Sequence, residues 1–285
     1  MTSAMPTRVL GRTGREVSIL GLGGHHIGRP SNEKTGIKII RKAIDGGVNF
    51  LDNAWCYHNG RSERIMGKAL QDGYRDRVML MTKNHGRDYD SYEQQLGESL
   101  NRLQTDHIDL VQFHEIISQG DPQKVFEQGA IDAAVDARDE GKISYIGFTG
   151  HKWPYLFKEM LDMDFDWDTV QMPVNVLDYH YRSFNSEIIP VLRERGIGII
   201  GMKSMSGGRL VKAGITQPEE NLRYALSMPI SILVSGMGST KVLEENLETA
   251  RNFRPMSEDE IEALRSRTEQ AAADGKHEYY KTRPD

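Results

Sequence analysis

Four polar side chains follow closely on short apolar runs of the sequence. Asp52 and Tyr57 come after the run 48–51, Lys83 follows 78–82, and His114 follows 108–113. Because the carboxyl ends of neighbouring parallel strands meet at one edge of a sheet or barrel, we expect these four side chains to lie close together. A carboxylate, a phenol, an ammonium and an imidazole can each hold or transfer a proton. The sequence therefore predicts a site for proton-coupled chemistry.

The four groups suit the polarisation and protonation of a carbonyl group. A tyrosine with a pKa of about 10 is a weak acid at neutral pH, and a nearby ammonium such as that of Lys83 would lower this pKa. Asp52 would keep Lys83 charged and oriented, while His114 would donate to the carbonyl oxygen or relay a proton to Tyr57. No protein side chain supplies a hydride, so carbonyl reduction would require a nicotinamide cofactor.

Short apolar runs alternate with amphipathic helical patterns along the whole chain, which predicts parallel βαβ units. The predicted barrel strands are 19–23, 48–51, 78–82, 108–113, 145–149, 169–173, 198–202 and 232–235. Eight such units favour a closed (β/α)8 barrel over an open doubly wound sheet. The doubly wound sheet is the lesser alternative, because the glycine-rich segment 21–26 is not followed by the start of a helix.

Segments at both ends of the chain add to the predicted barrel. Residues 8–10 and 16–18 flank a turn and predict an N-terminal β-hairpin that closes the bottom of the barrel. After the last strand, 242–247 and 261–264 predict extra C-terminal amphipathic helices. No linker divides the sequence, so we expect residues 1–285 to form a single domain.

The composition excludes several classes of function. The net charge of −5, with both signs interspersed, provides no basic face, so no nucleic acid partner is expected. No segment approaches the roughly 20 apolar residues of a spanning helix, so no membrane role is expected. The single cysteine, Cys56, excludes an internal disulfide, and we expect a cytoplasmic protein. The sequence leaves the oligomeric state open.

Several motifs resemble those of one enzyme family. Residues 52–57, continuing through 60–63 to Gly67, resemble the signature of the aldo-keto reductases. Further similar segments occur in family order and cover nearly the whole chain: 82–83, 112–114, 146–149, and Gly236 through 244–246.

The resemblance implies a barrel enzyme that reversibly reduces aldehydes or ketones with NADPH. In such an enzyme Tyr57 is the general acid, Lys83 and Asp52 tune it, and His114 orients the carbonyl. The implied cofactor-binding residues are Gly24, Asp52, Thr149, Gln171, Met202, Lys203, Gly236, Ser239, Lys241, Glu245 and Asn246. Gln171 would lie beneath the nicotinamide, residues 202–208 along the pyrophosphate, and the last four at the adenosine end.

This sequence departs from the family pattern in the cofactor loops. Thr149 and His151 replace the usual Ser-Asn pair, and Met202 with Lys203 replaces a tyrosine that commonly stacks on nicotinamide. Lys241 is the nearest cation where many relatives have an arginine for the 2′-phosphate. A lysine pairs with phosphate as a point charge, so NADPH is expected and use of NADH stays possible.

The substrate is expected to be a small carbonyl compound. His25, Trp55 and Trp153 follow predicted strands and are our expected walls of the substrate pocket. Cys56 is expected to face away from Tyr57 and to have no role. The C-terminal tail is short, which predicts a pocket that is open or closed in a different way from those of longer relatives.

Three alternative functions remain open at this point. A buried Lys83 or Lys203 would suit a Schiff-base enzyme. Histidines such as His25, His26 and His151 would suit a metal hydrolase, although no carboxylate-rich bridge accompanies them and we expect no metal. A regulatory subunit that binds the cofactor with vestigial turnover is the third alternative.

Overall fold

The chain folds into a closed barrel of parallel strands preceded by an antiparallel hairpin. The computed structural model describes residues 4–29 and 32–283, and the hairpin consists of β1 (Thr7–Val9) and β2 (Glu16–Ser18). The barrel strands of these described residues are β3 (Leu20–Gly23), β4 (Phe50–Asp52), β5 (Met79–Asn84), β6 (Ile108–Phe113), β7 (Ile143–Thr149), β8 (Thr169–Pro173), β9 (Gly198–Met202) and β10 (Ile232–Gly236). Each pairs with the next, and β10 also pairs with β3. This closure confirms the (β/α)8 prediction and shows that the doubly wound alternative, whose sheet would have free edges, is wrong.

Helices follow the strands and cover the outside of the barrel. The helices in the described part of the chain are α1 (Glu33–Asp45), α2 (Arg61–Ala69), α3 (Tyr89–Leu103), α4 (Asp121–Glu127), α5 (Ala130–Asp139), α6 (Pro154–Asp162), α7 (Phe184–Glu187), α8 (Ile189–Glu194), α9 (Arg209–Lys212), α10 (Pro218–Ser227), α11 (Thr240–Arg251), α12 (Glu258–Ala272) and α13 (Tyr279–Thr282). The hairpin and the extra C-terminal helices are present as predicted. None of the helices in the described ranges is long and apolar enough to cross a membrane.

Alternate residues of each strand face the barrel interior, because side chains along a strand alternate between its two faces. In β5, Met79 and Met81 belong to the interior apolar cluster, whereas Leu80 packs in the outer layer against the helices. The same period of two continues to Lys83 at the end of the strand. A polar side chain that continues the interior face beyond the apolar layer must therefore point into the mouth of the barrel.

The N-terminal hairpin closes the opposite end of the barrel. Leu10 and Val17 are fully buried and pack in the interior cluster with side chains from the barrel strands. Gly11 has a φ of +49°, and a Cβ at this position would collide with the backbone of Gly198. Only a glycine fits such a close approach at this dihedral angle without strain. The bottom of the barrel is thus filled with protein.

Candidate active site

A cleft with a volume of about 1260 Å³ lies at the C-terminal rim of the barrel. It is lined by all four predicted catalytic residues, which are Asp52, Tyr57, Lys83 and His114. Asp52 follows the interior-facing Phe50 by two positions in β4, and Lys83 follows Met81 by two in β5. The strand period that buries the apolar layer therefore also directs these polar groups into one cleft.

Asp52 and Lys83 form a buried ion pair. The Nζ atom of Lys83 lies 2.6 Å from Oδ1 of Asp52, and the two side chains are 2% and 4% exposed. Nζ also donates to the backbone oxygen of Asn53 at 2.6 Å, and Nε2 of Gln171 donates to Oδ2 of Asp52 at 2.6 Å. Both carboxylate oxygens are thus hydrogen-bonded, and two of the three N–H groups of Lys83 have partners. Such a network fixes the ammonium in position.

Tyr57 is held between two histidine rings and the ammonium of Lys83. Its ring lies edge-to-face with His114 and His25, at centroid distances of 5.7 and 5.1 Å, and Nζ of Lys83 lies 5.1 Å from the ring centroid. Burial raises the pKa of Tyr57 well above its usual value, and the negative charge of Asp52 raises it further. The direction of this shift is opposite to the lowering expected from Lys83, because burial disfavours the phenolate and the carboxylate of Asp52 lies beside the ammonium. Tyr57 is protonated at neutral pH, as a proton donor must be.

His114 is a neutral imidazole in this site. Burial holds the pKa of His114 well below its usual value, and the nearby charge of Lys83 lowers it further. Its Nδ1 atom lies 3.6 Å from Sγ of Cys56. A neutral imidazole carries one N–H donor, which suits a hydrogen bond to a carbonyl oxygen.

The predicted cofactor residues fall into two groups. Those that line the cleft are Asp52, Thr149, Gln171, Met202, Lys203 and Gly236. Gly24 lies just behind the lining, where a Cβ would come within 2.7 Å of the backbone oxygen of Asp52. The structure thus brings these seven residues of the expected set together.

The expected adenosine-binding residues lie outside the lining of the cleft, at the start of α11. Ser239 caps this helix by accepting a hydrogen bond from the backbone N–H of Val242 at 3.2 Å. Lys241 is exposed, with Nζ 3.8 Å from Oε1 of Glu245. Asn246 donates to Oγ of Ser235, a residue of the cleft, at 3.1 Å. These residues therefore lie beside the cleft, in the first turns of α11 and at its N-terminal cap.

Of the three expected substrate-pocket walls, the structure places His25 in the cleft and the two tryptophans away from it. The indole N–H of Trp55 donates to Oε2 of Glu98 on α3 at 2.9 Å, which turns the ring outward. Trp153 stacks under the guanidinium of Arg182, 3.5 Å from the ring centroid. Both rings have polar partners that the prediction did not consider.

Cys56, which was expected to face away from Tyr57 and to have no role, lines the cleft. Its Sγ atom lies 3.2 Å from Nε2 of His85, a cleft-side residue that the sequence analysis did not single out. Glu115 also lines the cleft, and its Oε1 accepts from Nε2 of His151 at 3.4 Å. The available signal was a polar residue close after a strand end, since His85 directly follows β5 and Glu115 is the second residue after β6.

The C-terminal tail forms part of the cleft wall through Tyr279, Tyr280 and Arg283. It is anchored by Lys281, which is fully buried and donates to Oδ1 of Asp178 at 2.7 Å. Glu278 adds a second ion pair to Lys281 at 3.0 Å and accepts from the Tyr280 hydroxyl at 2.6 Å. The segment 278–283 therefore forms an anchored part of the cleft wall.

Comparison with known proteins identifies the family. The model of the Aldo/keto reductase family matches residues 19–221. The chain belongs to this family. Within the aldo/keto reductases it is 27% identical to the uncharacterized oxidoreductase YqkF of Bacillus subtilis over 93% of this chain and 97% of that protein. This membership makes the protein an oxidoreductase.

Two solved aldo-keto reductase structures have the same fold. The holo form of AKR11C1 from Bacillus halodurans has a TM-score of 0.78 and 24% identity, covering 92% of this chain and 96% of that one. The enzyme from Klebsiella pneumoniae, in complex with NADP and acetate, has a TM-score of 0.75 and 21% identity, covering 90% and 93% of the two chains. At these identities the similarity shows that the chains share the barrel fold.

Proposed function

We propose that this protein reversibly reduces small aldehydes or ketones with NADPH, with Tyr57 as the general acid. The observation that carries the proposal is the single cleft in which a buried Lys83–Asp52 pair lies beside a protonated Tyr57 and a neutral His114. The family membership supports a redox reaction at this cleft. Reduced nicotinamide, when bound, supplies the hydride that no side chain can supply.

The cleft offers groups that suit a nicotinamide nucleotide. The side-chain oxygen Oε1 of Gln171 is buried and has no hydrogen-bond partner among the described residues, although the residue lines the cleft. An unpartnered buried acceptor costs free energy, and the amide N–H groups of a carboxamide would satisfy it. Thr149, paired with Gln171 between β7 and β8, adds a hydroxyl beside it. The NADP of the Klebsiella pneumoniae structure supports the choice of nucleotide.

The proposed proton transfer depends on the protonation states of two residues. Neutral His114 donates its N–H to the carbonyl oxygen and orients it, and the Tyr57 hydroxyl donates to the same oxygen as negative charge develops there. The remaining N–H of Lys83 stabilises the phenolate that Tyr57 becomes. Asp52 holds the ammonium of Lys83 in place at 2.6 Å, and the site returns to its starting charge once Tyr57 regains a proton.

The test is a fluorescence titration with NADPH and NADH, followed by a carbonyl panel monitored at the nicotinamide absorbance. We expect both nucleotides to bind, NADPH more tightly because of Lys241, and we expect carbonyl-dependent oxidation of NADPH. Lys241→Met is the matched control, which should weaken NADPH binding and leave NADH binding unchanged. Tight binding with no turnover over a broad panel would instead favour a cofactor-sensing regulatory subunit.

The half-buried Lys203 predicts a pH dependence of cofactor binding. Burial lowers the pKa of Lys203 to about 8, and its backbone is in the left-handed region with a φ of +59°. Below that pH the ammonium of Lys203 attracts the nucleotide phosphates. Above that pH Lys203 is neutral in the free protein and must take up a proton when the nucleotide binds. We expect the NADPH affinity to be flat at lower pH and to fall by up to about tenfold per pH unit above about 8.

A pH series of NADPH titrations on the wild type and Lys203→Met measures this effect. Two other titratable groups of the cleft do not change charge near pH 8, because the pKa of His25 is lowered to about 4 and that of Cys56 is raised to about 11. The variant should bind more weakly at low pH and lose the dependence. An unchanged pH profile would remove Lys203 from cofactor binding, and a borohydride-trapped adduct on Lys203 would instead support the Schiff-base alternative.

A further inference from the structure

Three potential metal ligands meet on one side of the cleft. They are Sγ of Cys56 after β4, Nε2 of His85 after β5, and a ring nitrogen of His114 after β6. Sγ lies 3.2 Å from Nε2 of His85 and 3.6 Å from Nδ1 of His114, and all three atoms lie within 4.8 Å of one another. Neighbouring strands of the barrel thus deliver one thiol and two imidazoles to a common point.

The two sulfur–nitrogen separations are close to those between ligands of a tetrahedral zinc ion. Zinc binds thiolate sulfur at about 2.3 Å and imidazole nitrogen at about 2.0–2.1 Å, so two ligands of one tetrahedral ion lie roughly 3.3–3.6 Å apart. We propose that Cys56, His85 and His114 bind Zn²⁺, with the fourth coordination position open to the cleft. A thiolate with two imidazoles favours zinc over the oxygen-preferring ions Mg²⁺ and Ca²⁺.

The surrounding charges allow a cation at this point. The carboxylate of Glu115 lies at the edge of the cluster, with Oε2 4.0 Å from Nε2 of His85. The positive charge of Lys83 is compensated by Asp52 at 2.6 Å, and that of Arg87, which donates to the backbone oxygens of His85 and His114, is compensated by Asp121 at 3.6 Å. A thiolate from Cys56 and the carboxylate of Glu115 offset the two charges of the ion.

The zinc site shares His114 with the proposed reduction. An ion on Nδ1 fixes the remaining proton of the ring on the other nitrogen, Nε2. Zinc binding therefore changes the state of a residue of the proposed active site. The proposal itself is independent of carbonyl reduction, because metal binding is measured without turnover.

Titration of the purified protein with Co²⁺, a spectroscopic substitute for zinc, tests the site. We expect one Co²⁺ per chain, a thiolate-to-cobalt charge-transfer absorption, and loss of this absorption on addition of Zn²⁺. Cys56→Ser should abolish the absorption, and His85→Ala should weaken Co²⁺ binding by at least about 100-fold, since even loss of an outer partner costs 10–100-fold. His58→Gln, which changes a cleft histidine outside the set, should leave both the affinity and the absorption unchanged.

Circular dichroism of each variant shows whether it is folded, so that a lost absorption is not mistaken for unfolding. Absence of the charge-transfer absorption in the wild type would overturn the proposal. Equal Co²⁺ binding by Cys56→Ser would overturn it as well. In either case the thiol and the two imidazoles would form a hydrogen-bonded cluster only.

Discussion

Tyr57→Phe is expected to lower kcat by about 10²–10⁴-fold, the usual contribution of a positioned general acid. The substitution removes the hydroxyl that would protonate the carbonyl oxygen. It keeps the ring that packs edge-to-face with His25 and His114. The protein should therefore fold normally and bind NADPH with wild-type affinity, and steady-state kinetics with a fluorescence titration measure both quantities.

Tyr92→Phe is the matched control for the loss of a phenol. Tyr92 is fully buried, its hydroxyl has no hydrogen-bond partner among the described residues, and it lies outside the lining of the cleft. This variant should keep the wild-type kcat. Wild-type kcat in Tyr57→Phe would remove Tyr57 from its proposed role.

Lys83→Met is expected to lower both turnover and stability. Turnover should fall by orders of magnitude, because the phenolate of Tyr57 loses its stabilising ammonium. The free energy of unfolding should fall by about 3–5 kcal/mol, because the substitution leaves the carboxylate of Asp52 buried without a counterion. Steady-state kinetics and urea denaturation measure the two effects separately.

A double variant separates the catalytic effect from the structural one. Asp52→Asn combined with Lys83→Met removes both charges and should recover much of the lost stability. It should not recover turnover, since the ammonium is still missing. Wild-type kcat and pH profile in Lys83→Met would reject its catalytic assignment, and unchanged stability would show that the buried pair contributes nothing net.

The sequence predicted the barrel and the central residues of the cleft because both depend on one periodic signal. Apolar runs mark the strands. Because side chains alternate with a period of two, Asp52 lies on the same strand face as Phe50, and Lys83 lies on the same face as Met81. Which rim these residues reach follows from the parallel topology. Neither step requires knowledge of a contact between distant segments.

The incorrect predictions all concern contacts made by distant or neighbouring polar groups. Trp55 was placed in the pocket, but its indole N–H is bound by Glu98, 43 residues later in the chain. The acidity expected of Tyr57 neglected burial and the compensating charge of Asp52. For the tail, the sequence left open how the pocket is closed, because the pairing of Lys281 with Asp178, 103 residues earlier, is not encoded by spacing along the chain.

The buried ion pairs of Lys281 have a consequence for the proposed substrate pocket. Because they anchor the tail and Tyr280 is itself buried, this wall keeps its shape before any ligand arrives, and ligand binding loses little conformational entropy there. Selectivity on this side of the pocket is then rigid shape recognition. Changes in the tail that broaden the substrate range should also lower the melting temperature, because the same residues shape the pocket wall and stabilise the fold.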